Sequence, residues 1–197
     1  MYFLDSNSFS KISLVRFRDF SHLIILFIAI SVIIIIVFLV INLGSIRILT
    51  DLNYIETIWT IAPCFILIAL AFPRLLLLYT LDSPSNLVNN LNIIGRQWYW
   101  IYNSSNFNFE SYISNRIPRL LNVDNAAIIY DRTLAIVSRG DVLHRWAVPS
   151  IGIKVDAVPG RINFGVIDPA LKGVFFGQCR EICGANHAFI PIKLESI

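Results

Sequence analysis

The chain has little of what a soluble enzyme uses. Only 15% of its 197 residues are charged, against about 25% in ordinary globular domains. It has no basic run and no Gly-rich phosphate loop, and a net charge of +3 is too small to hold nucleic acid. Three cysteines cannot build a disulfide-rich scaffold. The scarcest residue is methionine: Met1 stands alone beside 33 isoleucines. What the chain has is apolar surface, since 56% of its residues are hydrophobic.

That apolar content is concentrated. No Asp, Glu, Lys or Arg occurs from Phe20 to Ile46, and Leu23–Leu43 is 21 residues of almost pure Ile, Leu, Val, Phe and Ala. About 20 such residues cross a bilayer as a helix. A second run, Thr57–Leu81, carries only Arg74, placed where a long side chain snorkels to the interface. Trp59 and Tyr79 mark its two ends as interfacial aromatics. The first run is too long and too far into the chain for a cleaved signal peptide. The sequence predicts two transmembrane helices, over about 21–43 and 56–81, joined by a loop at 44–56. Residues 1–82 then form a tail and hairpin. Lys11, Arg16 and Arg18 in the tail, against Arg47 in the loop, favour termini on the inner side by charge counting.

Residues 83–197 are of mixed polarity, and 115 residues suffice for a domain with its own core. Short β-like runs recur at Asn92–Tyr102, Ala127–Val137, Val142–Val148, Ile162–Ile167, Val174–Gly177 and Phe189–Leu194. Turn signals such as Ser138-Arg-Gly-Asp141 and Pro159-Gly160 separate them. This spacing predicts an all-β sandwich or barrel.

The chemistry concentrates near the C-terminus, in Gly177-Gln-Cys179-Arg-Glu181-Ile-Cys183-Gly-Ala-Asn-His187. Thiolates and imidazole are the ligands that soft metals choose. His144, on a predicted strand, completes a set of two Cys and two His drawn from a loop and a distant strand. Copper sites of cupredoxins are closed in this way, and two thiolates can bridge two copper ions. A disulfide, a structural Cys₂His₂ zinc site and free buried cysteines all remain open on spacing alone. Cys64, mid-membrane, reads as small apolar packing. A second cluster is Gly95-Arg-Gln97-Trp98-Tyr99-Trp100. On a strand, Trp98 and Trp100 face one way and Tyr99 the other, as packing or as rings on an electron path.

These segments resemble one family. Gln97-Trp-Tyr-Trp, Asp141-Val-Leu-His144, Trp146-Ala-Val-Pro-Ser150, Asp156-Ala-Val-Pro-Gly-Arg161 and the Gly177–His187 loop look like subunit II of mitochondrial cytochrome c oxidase. Glu56-Thr-Ile-Trp-Thr-Ile-Ala-Pro63 fits it too. The resemblance implies a Greek-key cupredoxin domain with a binuclear copper centre, CuA, fed by cytochrome c and emptied to haem in subunit I. It implies partnership with subunits I and III and accessory subunits. By carry-over, His144, Cys179, Cys183 and His187 ligate copper by side chain and Glu181 by its carbonyl. The Glu181 carboxylate would reach a magnesium site shared with subunit I near Asp156. Trp98 would receive the electron. Glu56 would sit at the mouth of a proton path, although Asn53-x-x-Glu56 also reads as a helix capping box. The resemblance places both termini and the copper domain in the intermembrane space of the mitochondrial inner membrane, against the charge count. A quinol oxidase subunit lacks these copper ligands. The competing class is a membrane-anchored cupredoxin or zinc module without oxidase activity.

The chain departs from the family at several places. The family's Met ligand, three residues after the second His, is Ile190 here, and an Ile cannot coordinate copper. Axial thioethers tune potential more than they hold metal, so one explanation is a centre with altered potential. The other is that one Ile-like codon, read as Met in many mitochondrial codes, is written as Ile throughout. That would account for one Met beside 33 Ile. The peptide spanning residues 187–193 is expected to have the mass of Met at position 190; a mass fitting Ile would end this second explanation. Arg145 and Arg180 stand beside ligands where the family has small or neutral residues, and Arg96 where it usually has His. Residues 83–197 carry 11 basic against 8 acidic side chains. For docking a basic cytochrome c this leaves Glu110, Asp124 and Asp141 as candidate charges.

Overall fold

The computed structural model describes residues 5–41, 53–81, 87, 89–113 and 125–197. These fall into two compact units, Leu14–Thr80 and a second in which Met1–Ser13 joins Leu81–Ile197. The candidate docking residue Asp124, and most of the loop predicted at 44–56 with its Arg47 and Asp51, lie outside the described residues.

The first unit is helical. Helix α1 spans Phe9–Ile41 and α2 spans Asn53–Leu81. Neither buries a single residue. Apolar side chains are exposed all round, as Ile33, Ile34, Ile35 and Ile36 show at 53–61%. A helix apolar on every face is stable only in an apolar surrounding. At about 1.5 Å per residue, 33 and 29 residues exceed the bilayer core. Pro63 and Pro73 sit inside α2, which membrane helices tolerate. The chain is thus a membrane protein with two spans.

Helix α1 begins at Phe9, well before the expected start near 21. The cause is Ser8, whose hydroxyl accepts the Lys11 N–H at 3.0 Å as an N-cap. Composition signals where the bilayer begins, whereas the cap decides where the helix begins. Around that cap the tail is tied to the β unit. Asn7 N–H donates to the Ser150 carbonyl at 3.0 Å, and the Asn7 carbonyl accepts from Ala170 N–H at 2.9 Å. The Ser8 hydroxyl donates to the Ile151 carbonyl. The Ser10 hydroxyl donates to Asp168 at 2.6 Å, and Lys11 Nζ to the Pro149 carbonyl at 2.8 Å.

The rest of the second unit is β. In chain order the strands are β1 Asn89–Arg96, β2 Tyr99–Asn103, β3 Asn108–Ser111, β4 Ala127–Ile129, β5 Thr133–Arg139, β6 His144–Val148, β7 Ile153–Ala157, β8 Asn163–Ile167, β9 Gly173–Gln178 and β10 Pro191–Ser196. They form a five-stranded sheet β3-β2-β1-β5-β8, a three-stranded sheet β4-β10-β9 and the ribbon β6-β7. The β1–β5 and β4–β10 pairs are parallel, and the other pairs are antiparallel. Alternate residues point inward, such as Leu91, Ile93 and Gly95 on β1 or Ile153, Val155 and Ala157 on β7. Trp100, Tyr102 and Trp146 lie at the centre of the core. Trp146 Nε1 donates to the Tyr102 hydroxyl at 3.2 Å.

Two predicted strands are each broken in two. Asn92–Tyr102 turns at Gln97-Trp98, so Trp98 stands on a hairpin turn and shares no strand face with Trp100. Ala127–Val137 turns at Tyr130–Arg132, where Asp131 has φ 46°. Strands β3 and β7 had no counterpart among the predicted runs. In β7, Lys154 and Asp156 alternate with three apolar residues, a pattern short enough to read as loop.

Candidate metal centre

Two glycines bring the site together. Gly177 on β9 has no room for a Cβ: one would land on the Ala147 carbonyl oxygen, with Ala147 C at 3.0 Å and Val148 Cα at 3.1 Å. Only glycine allows β9 this close to β6. Gly95 on β1 does the same for His144, whose Cβ and Cδ2 lie 3.0 Å from where a Cβ would be. Strand β6 thus holds His144 at its start, and β9 runs into the cysteine loop beside it.

The result is a cluster of donors. His144, Cys179 and Cys183 are buried, and one ligand atom from each lies within 4.8 Å of the others. Cys179 Sγ lies 3.9 Å from His144 Nδ1 and 3.4 Å from the Glu181 carbonyl oxygen. Cys183 Sγ lies 3.5 Å from Nδ1 of the half-buried His187, which opens the short helix η1 His187–Phe189. Both thiols are free, so the disulfide reading is not the state of this fold. Ile190 is 1% exposed, and its carbonyl accepts the Cys179 N–H at 3.1 Å. The position at which the resemblance implies a thioether ligand is therefore filled by packed alkyl side chain.

The surrounding polar groups orient the donors. Asp141 accepts from His144 Nε2 at 2.8 Å, from Gln97 N–H at 2.6 Å and from Val142 N–H at 2.7 Å. An imidazole held through Nε2 turns Nδ1 toward the sulfurs, as a carboxylate on the far ring nitrogen commonly does for metal-bound histidines. Asp141, expected as a docking charge, is thus also a hydrogen-bond partner of His144 within the chain. Gln97 Nε2 donates to the Cys183 carbonyl at 2.8 Å, fixing the loop from the β1–β2 turn. The spacing Asp141-x-x-His144 was the available signal for the first of these partners. Nothing local marks Gln97.

Protonation follows from this geometry. Burial pushes the Cys179 thiol up, but hydrogen bonding to His144 and the backbone outweighs it and the net shift is down. For Cys183, burial and the neighbouring Cys179 charge act together and push the thiol up to about 12. Burial lowers His144, yet its contacts with Cys179 and Asp141 raise it overall. Burial raises Asp141, and the hydrogen bonds it accepts bring it below its ordinary value.

The other expected residues are spread out. Trp98 is half-buried, and its Nε1 lies 3.3 Å from where a Gly184 Cβ would stand, so the indole lies close to the cysteine loop. Glu110 on β3 is exposed and accepts from the Tyr112 hydroxyl at 2.6 Å. Glu56 lies in the first turn of α2, exposed, where a carboxylate suits the helix dipole. Asp156 on β7 is paired with Arg145.

Two buried thiols and the buried His144, with the half-buried His187 beside them, are shared between a strand and a loop of a β fold that follows two membrane helices, a donor set of the kind that soft metals take in membrane proteins. Residues 89–197 match the family described as cytochrome c oxidase subunit II, periplasmic domain, and residues 1–77 match its transmembrane domain. The chain belongs to the cytochrome c oxidase subunit II family. The protein of that name from Ctenocephalides felis is 45% identical over 98% of this chain and 90% of its own. The one from Oncopeltus fasciatus is 42% identical over 98% and 89%. Among solved structures, the periplasmic domain of subunit II of Bradyrhizobium japonicum cytochrome oxidase superposes with a TM-score of 0.55 at 36% identity, covering 58% of this chain and 88% of that one. Membership makes the chain a subunit of a cytochrome oxidase complex, and its His/Cys cluster is in keeping with a copper site.

Proposed function

We propose that the chain takes electrons from cytochrome c at a binuclear copper centre and passes them to haem in subunit I, for oxygen reduction coupled to proton pumping. The carrying observation is the donor set: two free buried thiols with His144 Nδ1 within 4.8 Å. His187 and the Glu181 carbonyl stand against the same sulfurs. Soft sulfur and imidazole donors fit copper. The side chains of His144, Cys179, Cys183 and His187 and the carbonyl of Glu181 would hold it. Copper bound there supplies a one-electron carrier whose charge is shared with thiolate sulfur. The chain's own part is to keep that site dry and rigid, which the burial of Cys179 and Cys183 and the Asp141 and Gln97 hydrogen bonds accomplish. With Ile190 in place, no thioether contributes.

Trp98, at the loop surface, is the proposed point where the electron arrives, with Glu110 among the docking charges. Glu56 is the proposed mouth of the proton path. Subunits I and III and accessory subunits are the proposed neighbours, in the mitochondrial inner membrane. The tail contacts at Asn7, Ser8, Ser10 and Lys11 support the tail and β unit lying on one side of the bilayer, the intermembrane space in this reading. The magnesium implied by the family does not fit the donors, because Asp156 and Glu181 already share the Arg145 guanidinium.

The test is copper content and spectroscopy on the assembled oxidase. Two copper ions in this chain, with the colour and EPR signal of a mixed-valence pair, are expected. One copper, or a colourless and EPR-silent zinc, would overturn the reading.

A further inference from the structure

Arg145 follows His144 on β6, so its side chain faces away from the buried cluster. Directly across the ribbon is Asp156. The guanidinium grips that carboxylate with two nitrogens, Nε to Oδ1 and Nη2 to Oδ2 at 3.2 Å. The same Nη2 lies 3.5 Å from Glu181 Oε2 in the cysteine loop. The Arg145 carbonyl also accepts the Arg180 N–H at 3.0 Å. One residue thus ties β7 to the loop that carries both thiols.

We infer that Arg145 is a built-in cation that takes the place of a divalent ion between Asp156 and Glu181. A fork-shaped guanidinium matches a carboxylate in two parallel charge-assisted bonds. It cannot give up its proton in a protein, so its charge is permanent. Magnesium demands near-octahedral oxygen donors. Both Asp156 oxygens are already engaged, and an ion brought to them would meet a fixed positive charge. One guanidinium against two carboxylates leaves the cluster at −1, so the bond network rather than full neutralisation excludes the ion. Arg145 acts as a positioning residue: it holds the Glu181 side chain, whose own carbonyl stands 3.4 Å from Cys179 Sγ. The setting rests on the oxidase reading, but the carboxylate–guanidinium cluster can be read separately from copper.

The experiment exchanges the assembled, chelator-washed oxidase with Mn²⁺ and counts tightly held Mn²⁺ by EPR. The native count is expected to be unchanged by Asp156→Asn or Glu181→Gln. Arg145→Ser is expected to gain one Mn²⁺ per oxidase, lost again when combined with Asp156→Asn. A native count that falls by one in either carboxylate variant would overturn the inference, as would an Arg145→Ser oxidase that gains none. If Arg145→Ser does not assemble, the two carboxylate variants still decide. The copper spectrum of the native sample is read separately: its absence would overturn the oxidase reading and leave the Mn²⁺ count interpretable.

Discussion

Replacing Cys183 by serine is expected to empty the centre of metal while leaving the β unit folded. The hydroxyl has nearly the shape of the thiol, and Cys183 is 3% exposed. Folding therefore loses at most the cost of one poorly paired buried hydroxyl, about 1–3 kcal/mol. Metal binding loses a thiolate outright. Removing an outer hydrogen-bond partner of a ligand costs about 10- to 100-fold in affinity, and loss of the ligand itself exceeds that. Copper content in Cys183→Ser should fall to background while the far-ultraviolet circular dichroism is kept. Retained copper with an unchanged spectrum would remove Cys183 from the ligand set. The pH dependence has a definite sign. Ligands bind metal deprotonated, and Cys183, pushed up to about 12, carries its proton across the physiological range. Each proton released makes the apparent affinity of the native protein rise about tenfold per pH unit. The rise persists toward the Cys183 value. A native affinity that is flat from pH 6 to 8 would contradict thiol ligation.

Gly177→Ala is expected to disrupt fold and site together. The added methyl meets the Ala147 carbonyl and the Val148 Cα, both backbone atoms that no rotamer change can move aside. Overpacking a core usually costs about 1–3 kcal/mol, and a clash with backbone belongs at or above the top of that range. Strand β9 must retreat from β6, which separates Cys179 from His144. The melting temperature should drop by several degrees and copper retention should fall with it. A variant with native melting temperature and full copper would show that β9 does not need this approach.

Much of the architecture is a local property of the chain. The two spans follow from composition, because a run of about 20 apolar residues has few alternatives to a bilayer. The β character follows from alternation and from turn residues. The cysteine loop is legible because its donors lie within eleven consecutive residues, Gly177–His187. Strand ends were less legible. Gln97-Trp98 and Asp131 carry turns without a glycine or proline to announce them. The start of α1 depends on a hydrogen bond accepted by one serine, which hydropathy does not register.

Spans, β class and the Cys179-x₃-Cys183-x₃-His187 loop were therefore written into residue order, since each depends on neighbours a few positions apart. Folding decided which His meets which Cys. It gave Asp141 to His144 as an orienting partner, and it tied residues near position 8 to the turn near 151. Arg145 drew its meaning from the same source. In the sequence it is a basic residue out of family pattern. In the fold it is opposite Asp156 and within reach of Glu181, 11 and 36 positions away. Those relations depend on strand register and on the close approach that Gly177 permits, and neither can be read from a local stretch of chain.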